Sequence, residues 1–346
     1  MAIGLFWNDN VHFEKHDWPM KFFWVGNNTG NLVFIRALKN IFRPRIFPLW
    51  DIDSGAFRDD PEVSHYITTE LIWLTENTTY PHVWKMLRGI GDKPLVPISV
   101  GVHSRTDSTK INLHPDTVKL LRTISERATL GVRGEYSAAV LERLGILNLQ
   151  LIGCPSMYYG MNDGFRMEKP DFREDMRAAV NFRTFYGSIR PPEAEFLTWA
   201  ANRRLPFVEQ TKQEMTLENC QNNQPQFDYL SAWLKEHKRV FFEVEPWVNW
   251  LRSEVDFSMG SRFHGNVLAI MNGIPALTMV IDGRMQELTR FFRLPTMDAA
   301  DFSMDKPLQY YYDLADFTAF NEAYPRRLAA FREFLRRNGL EEVLQR

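Results

Sequence analysis

The stretch Ser258-Met259-Gly260-Ser261-Arg262-Phe263-His264-Gly265-Asn266-Val267-Leu268-Ala269-Ile270-Met271-Asn272-Gly273-Ile274-Pro275 reads as the end of a buried strand, a tight turn and an apolar helix that begins around Gly265. A strand feeding a helix N-terminus is the repeating unit of α/β folds, whose ligands bind beyond the carboxyl ends of the strands. Arg262 and His264 lie in this junction. Helix N-termini present free N–H groups and a positive dipole end, so anions bind there readily. An arginine adds a permanent, forked contact to phosphate or carboxylate, and a histidine exchanges a proton near neutral pH. Taken alone, the pair suits an anionic substrate and one proton transfer. The competing reading is an ordinary Arg salt bridge and a His that satisfies the loop backbone.

The same alternation extends in both directions. Lys21–Val25 reads as a strand, Gly26–Asn31 as a glycine loop and Leu32–Leu38 as a helix. Ile67–Leu74, Leu95–Val102, Ala128–Arg133 and Leu149–Gly153 read as strands, with helices over 115–128 and Glu135–Leu144. After an aperiodic segment carrying Pro155, Gly160, Gly164 and Pro170, strand patterns return at Arg177–Arg183, Leu205–Gln210, Arg239–Glu243 and Val255–Gly260. Helices separate them around Ala194–Asn202, Tyr229–His237 and 246–253. Such alternation implies mostly parallel sheets covered on both faces. The expected fold class is therefore α/β, two Rossmann-like domains facing a cleft. The expected division is residues 1–160, a linker over 161–176, residues 177–312, and a helical tail over 313–346 that includes an amphipathic, arginine-rich helix from Pro325.

The 346 residues also fit two domains at roughly 150 residues each. With 41 Lys plus Arg against 43 Asp plus Glu, the formal net charge is -2, which argues against a general nucleic-acid binder. Cys154 and Cys220 make no disulfide framework and have no metal-ligand spacing, so the chain reads as reduced, cytosolic and without a metal. No signal peptide pattern opens it, and no run reaches the roughly 18 apolar residues of a membrane span.

Further motifs make a family visible. Ser261-Arg262-Phe263-His264-Gly265, an apolar helix, Gly273-Ile274-Pro275, a strand over Ala276–Ile281 and Asp282-Gly283-Arg284 resemble the C-terminal signature of the polysaccharide pyruvyl transferase family, with Arg284 where that family usually has Lys. Asn28-Thr29-Gly30-Asn31 is similar to its N-terminal N-x-G-D/N loop, and Arg133-Gly134-Glu135-Tyr136-Ser137 to its R-D/E-x-x-S helix start, with one extra residue. Gly153-Cys154-Pro155 departs from the family's usual Asp-Pro. The resemblance implies a GT-B-like fold and transfer of pyruvate from phosphoenolpyruvate to a sugar of an exopolysaccharide or capsule repeat, forming a ketal. It implies an acceptor that is a glycan or a lipid-linked oligosaccharide, with transient membrane association but no integral span, and no cofactor beyond the donor substrate. Arg262 and His264 match the family's essential Arg and His, and Arg133 its N-domain Arg. In that chemistry His264, as imidazolium, would protonate the donor's C3 or assist phosphate departure, while Arg262 and Arg133 hold its anionic groups.

Asn28, Gly30 and Asn31, with Asn27, either line the acceptor side or serve a turn that needs Gly and Asn. Ser261 and Gly265 flank the Arg-His pair, and His103 follows a strand end, with Arg105 beside it as a lesser anion ligand. Glu209, Glu243, Glu245, Asp51 and Asp53 are candidate bases better explained as structural carboxylates. Trp7, Trp24, Trp73, Trp84, Trp247 and Trp250 read as core before sugar platforms. The remaining histidines have no motif support. A nucleotide-sugar-dependent GT-B glycosyltransferase and a noncatalytic glycan-binding protein are the alternatives, because fold does not fix function.

Overall fold

A computed structural model describes residues 2–8, 13–55, 57, 60–103, 109–182, 191–211 and 225–342. Arg105, His12, Arg183 and Cys220 lie outside the described residues.

In the first half, β1 (Ala2–Phe6), β2 (Arg45–Phe47), β3 (Val63–Thr68) and β4 (Leu95–Pro97) form a parallel sheet in the order β2-β1-β3-β4. A parallel bridge between Val100 and Val132 extends it to the pair β5 (Leu130–Val132) and β6 (Leu149–Leu151). The helices between these strands are α1 (Trp18–Trp24), α2 (Asn31–Phe42), α3 (Pro81–Gly89), α4 (Pro115–Ser125) and α5 (Glu135–Arg143).

The second half holds β7 (Ala178–Asn181), β8 (Phe207–Val208), β9 (Lys238–Arg239), β10 (Phe257–Gly260), β11 (Ala276–Val280) and β12 (Thr296–Asp298), all paired in parallel in the order β12-β11-β10-β7-β8-β9. Its helices are α6 (Pro191–Asn202), α7 (Pro225–His237), α8 (Val244–Glu254), α9 (Phe263–Ile270), α10 (Gly283–Phe292) and α11 (Leu308–Leu314), followed by the long α12 (Thr318–Arg337). The connections diverge in opposite directions from the β7–β10 pair, the switch point where open α/β sheets bind ligands. The molecule is thus α/β with two Rossmann-like, mostly parallel sheets.

Three expectations are corrected. Residues 21–24 are helical rather than a strand, with Val25 as the C-cap: the Asp17 carboxylate accepts the Met20 N–H at 3.1 Å, Pro19 sits in the first turn, and a short apolar run suits either element. The strand expected over 95–102 stops at Pro97, because Ser99 takes a φ of 63° and only single bridges follow. Likewise β3 begins earlier, at Val63, and ends at Thr68, while β1, unread in the sequence, lies between β2 and β3.

The terminal helix also begins before its expected start. α12 runs through Pro325, which costs one intrahelical bond while Tyr324 and Leu328 are fully buried around it. It returns to the first half: Asn338 Oδ1 accepts the Thr129 N–H at 2.9 Å, and Phe331 stacks on Tyr158 at 4.5 Å. Arg327 meanwhile donates to the Phe291 carbonyl of α10 at 2.7 Å, so this helix holds both halves.

Candidate active site

The carboxyl end of β10 is held by a buried amide network. Gly260 pairs with Asn181 across the switch point, and its φ of 147° brings the backbones so close that a Cβ would lie 1.5 Å from the Asn181 carbonyl oxygen. That carbonyl accepts the Ser261 N–H at 2.9 Å, and Asn181 Oδ1 accepts the Arg262 N–H at 2.8 Å. Asn181 Nδ2 donates to Asn266 Oδ1 at 2.8 Å, and Asn266 Nδ2 donates to the Gly260 carbonyl at 2.9 Å. Both amides are buried, and a satisfied polar network of this kind fixes one loop conformation. It presents Arg262 as the N-cap of α9 and His264 in its first turn.

The Arg262 guanidinium donates from Nη2 to Thr211 Oγ1 at 3.0 Å. Glu209 holds Thr211 in turn, accepting its N–H at 2.9 Å and its hydroxyl at 2.7 Å. Burial pushes the Glu209 carboxyl up while Arg262 draws it down. Glu209 therefore orients Thr211 from within the protein.

The first-half loop meets this assembly directly. The Thr29 N–H donates to the Gln210 carbonyl at 2.8 Å, and Asn28 bridges to Thr211 in antiparallel fashion. Gly30 is needed for that approach, since a Cβ would sit 2.8 Å from Gln210 Oε1 and 3.1 Å from His264 Cβ. At Gly265 a Cβ would meet Gln210 Nε2 at 2.6 Å. The two glycines thus serve packing. Asn31 donates from Nδ2 to the Val25 carbonyl at 2.9 Å, which also makes it a loop clasp. Asn27, at a φ of 59°, and Asn28 line an open cavity of about 200 Å³ together with Ser261, Arg262, His264 and Arg284.

Behind His264 lies a narrower chamber of about 30 Å³, walled by Arg133, Cys154, Arg284 and apolar side chains. His264 and Arg284 line both spaces. Arg133 is buried and donates to the Ile72 carbonyl, while its Nη1 and the Nε of Arg284 have no hydrogen-bond partner among the described residues. Burial, then the neighbouring Arg284 cation, bring the Arg133 pKa down to about 10, so it stays charged at neutral pH. Burial, then Arg284 and Arg133, push His264 down to about 3, although the residue as a whole is only half-buried. The imidazole is therefore neutral at physiological pH, not the imidazolium expected from the resemblance, because burial and the two neighbouring guanidiniums disfavour its charged form. Its Nε2 lies 3.5 Å from Cys154 Sγ, whose thiol burial pushes up and to which the Ser156 hydroxyl donates at 3.1 Å. The site unites concentrated positive charge, a neutral proton carrier and a polar cavity large enough for one small molecule.

Two residues read otherwise in the sequence join it. Trp73, expected in the core, is 38% exposed and lines the open cavity. His103 stacks on it at 3.7 Å between ring centroids without lining the cavity itself, and the Arg284 guanidinium lies 5.8 Å from the same ring. Arg284 was visible only as the last residue of Asp282-Gly283-Arg284. Its place at the start of α10, just beyond β11, was the signal. Ser137 anchors the halves: Glu287 of α10 accepts its N–H at 2.7 Å and its hydroxyl at 3.0 Å. Glu243 and Glu245 line a different cavity. Asp51 and Asp53 sit in an N-terminal turn, where Asp53 pairs with Lys85 at 2.6 Å.

The two-sheet architecture with its ligand cleft defines a GT-B-like protein. The fold aligns with the UDP-GlcNAc 2-epimerase from Neisseria meningitidis bound to UDP-GlcNAc, at a TM-score of 0.51 and 11% identity over 98% of this chain and 100% of that one. A Listeria monocytogenes protein provisionally described as a UDP-N-acetylglucosamine 2-epimerase aligns at 0.51 and 10% identity, over 96% and 94% of the two chains. A sequence search of curated proteins finds no match. Residues 90–283, more than half of the chain, match the polysaccharide pyruvyl transferase family, and the chain belongs to it. That span includes Arg133, Cys154, Arg262 and His264, while the loop at Asn28–Asn31 lies before it and Arg284 one residue beyond. Among the described residues no helix is long and apolar enough to cross a membrane.

Proposed function

We propose that the protein transfers pyruvate from phosphoenolpyruvate to a sugar of an exopolysaccharide or capsule repeat unit, forming a pyruvate ketal in the cytoplasm, with phosphoenolpyruvate as its sole donor and no further cofactor. The observation that carries this reading is the convergence of Arg133, Arg262 and Arg284 on spaces that share His264. A small donor bearing both phosphate and carboxylate supplies the anionic charge that these guanidiniums demand. Arg284 and Arg133 would take one anionic group, and Arg262 the other from the open side.

The proton inventory suits a neutral histidine. Two acceptor hydroxyls form bonds to C2 of the donor, the C2–O bond to phosphate breaks, and C3 gains one proton to become the methyl group. One hydroxyl proton ends on C3 and the other leaves with phosphate, so the step needs no net acid. His264, neutral at rest, relays a hydroxyl proton to C3, and donor charge beside Arg133 and Arg284 favours its transient imidazolium. Asn28 and Trp73 would hold the acceptor, an amide for its hydroxyls and an indole for its apolar face. A lipid-linked acceptor would bring the protein to the membrane only for the duration of turnover.

The test is phosphate release from phosphoenolpyruvate that depends on added glycan, with mass spectrometry of the product showing one pyruvate ketal. No acceptor-dependent release, together with no thermal shift on adding phosphoenolpyruvate, overturns the reading. A preferential thermal shift with a nucleoside diphosphate sugar selects the glycosyltransferase instead.

A further inference from the structure

A second cavity, of about 150 Å³, opens on the other side of the Gly26–Asn31 loop, between the two halves. Residues Trp24, Val25 and Leu32 line it, whereas Asn27 and Asn28, within the same segment, line the open cavity of the active site. Its walls are Trp7 and Trp24 of the first half, Phe242 of the second, and the polar side chains of Arg36, Lys39 and Glu245. Arg36 and Glu245 form an ion pair across the two halves. The Phe242 ring is held edge-on against α1 by Phe22 at 5.0 Å and by Trp18 at 5.7 Å.

We propose that this cavity is a second saccharide subsite, which binds a sugar of the acceptor other than the one that reacts and so selects an oligosaccharide acceptor. The inference rests on the reading of the protein as a glycan-modifying enzyme. Three observations identify the ligand class. First, the charges balance: Arg36 and Lys39 face Glu243 and Glu245, so unlike the arginine-rich chamber this space does not call for an anion. Second, Trp24 lines the wall, and its indole N–H has no hydrogen-bond partner among the described residues; it is shielded from solvent, so a hydroxyl oxygen reaches it only when the ring turns. A buried donor left unpaired is costly, and native proteins rarely keep one without a use. Third, the volume falls below the several hundred Å³ of drug-sized sites and suits a single ring. Aromatic rings beside forked and carboxylate hydrogen-bonding groups match the alternation of C–H faces and hydroxyls on a sugar.

The experiment is retention of the full chain on an array of capsular and exopolysaccharide fragments, comparing each disaccharide and longer fragment with its constituent monosaccharides. Wild-type protein should retain at least one oligosaccharide better than its component sugars. Trp24→Leu should lower that retention about tenfold, and Trp24→Phe, which keeps a ring and removes only the N–H, should lower it by a smaller factor. Thermal midpoints of both variants establish that they are folded, and if Trp24→Leu does not fold, Trp24→Phe decides. Retention of no oligosaccharide, equal retention of monosaccharides, or retention unchanged by the Trp24 variants overturns the proposal. The thermal shift of wild-type protein with phosphoenolpyruvate is a separate readout: its absence defeats the donor reading and leaves a Trp24-dependent glycan result standing.

Discussion

On one side of His264, Arg133 and Arg284 face a thiol and apolar side chains in about 30 Å³; on the other, Asn28, Thr211 and Arg262 share about 200 Å³ with the indole of Trp73. The first space has room for little more than a water molecule, so each charge there is less screened than in open solvent. The second admits water, and its hydrogen bonds compete with solvent. The difference teaches a division of labour. On the proposed function, strong, charge-dependent selection of the donor would belong to the arginines that border the chamber, and weaker, shape-dependent selection of the acceptor to the open cavity. His264 stands at their shared wall, where a proton would have to pass from one ligand to the other.

That division can be broken at several points. His264→Ala should cut the rate of acceptor-dependent phosphate release by about 10²–10⁴ while the thermal shift with phosphoenolpyruvate persists. An unchanged rate would remove the histidine from the chemistry. Arg133→Met, inside the chamber, should weaken donor binding about 10- to 100-fold in a calorimetric titration, as expected for a lost charge-assisted contact. Trp73→Leu, in the open cavity, should raise the acceptor KM by about 3- to 10-fold with little effect on donor affinity. Equal effects of these two variants on both ligands would erase the distinction between the spaces.

Two finer predictions concern His264 itself. Arg284→Met removes a cation that holds the imidazole down, so its pKa should rise from about 3, as followed by NMR titration of the ring. Cys154→Asp should raise it too, by setting a carboxylate near Nε2. The smallest effect is on stability. Because the folded pKa of about 3 lies below the unfolded value near 6.5, the unfolded chain takes up a proton between these limits that the native site refuses. This contribution is fully present above pH 6.5 and is lost as pH falls toward 3. In denaturant titrations, His264→Gln should lose less stability than wild type between pH 7 and pH 5.

The junction at Arg262 and His264 was legible because its meaning is local: a strand, a turn and an apolar helix are adjacent in the chain. The alternation that defines two α/β halves was legible for the same reason. What escaped depends on distance. Cys154 and His264 are 110 residues apart, and nothing in Gly153-Cys154-Pro155 announces that the thiol meets the imidazole. Trp73 looked like any other core tryptophan until its partner His103 and the Arg284 cation were in place around it. Gly30 and Asn31 were ambiguous between binding and turn-making, and their contacts with Gln210 and Val25 favour the turn. Residues 21–25 misled because five apolar-rich residues carry too little periodicity to separate helix from strand.

The return of α12 to the first half has a consequence in time. Thr129 and Asn338 are separated by 209 positions, and the helix brings Phe331 onto Tyr158 and Phe334 against Gly131 of β5. Contacts of such span form late, because a long loop must close before they reward the chain. The first half therefore emerges from the ribosome with an apolar face that α10 and α12 cover later. That face is completed only when the second half has been made, so the packing of the first half depends on the last helix of the chain.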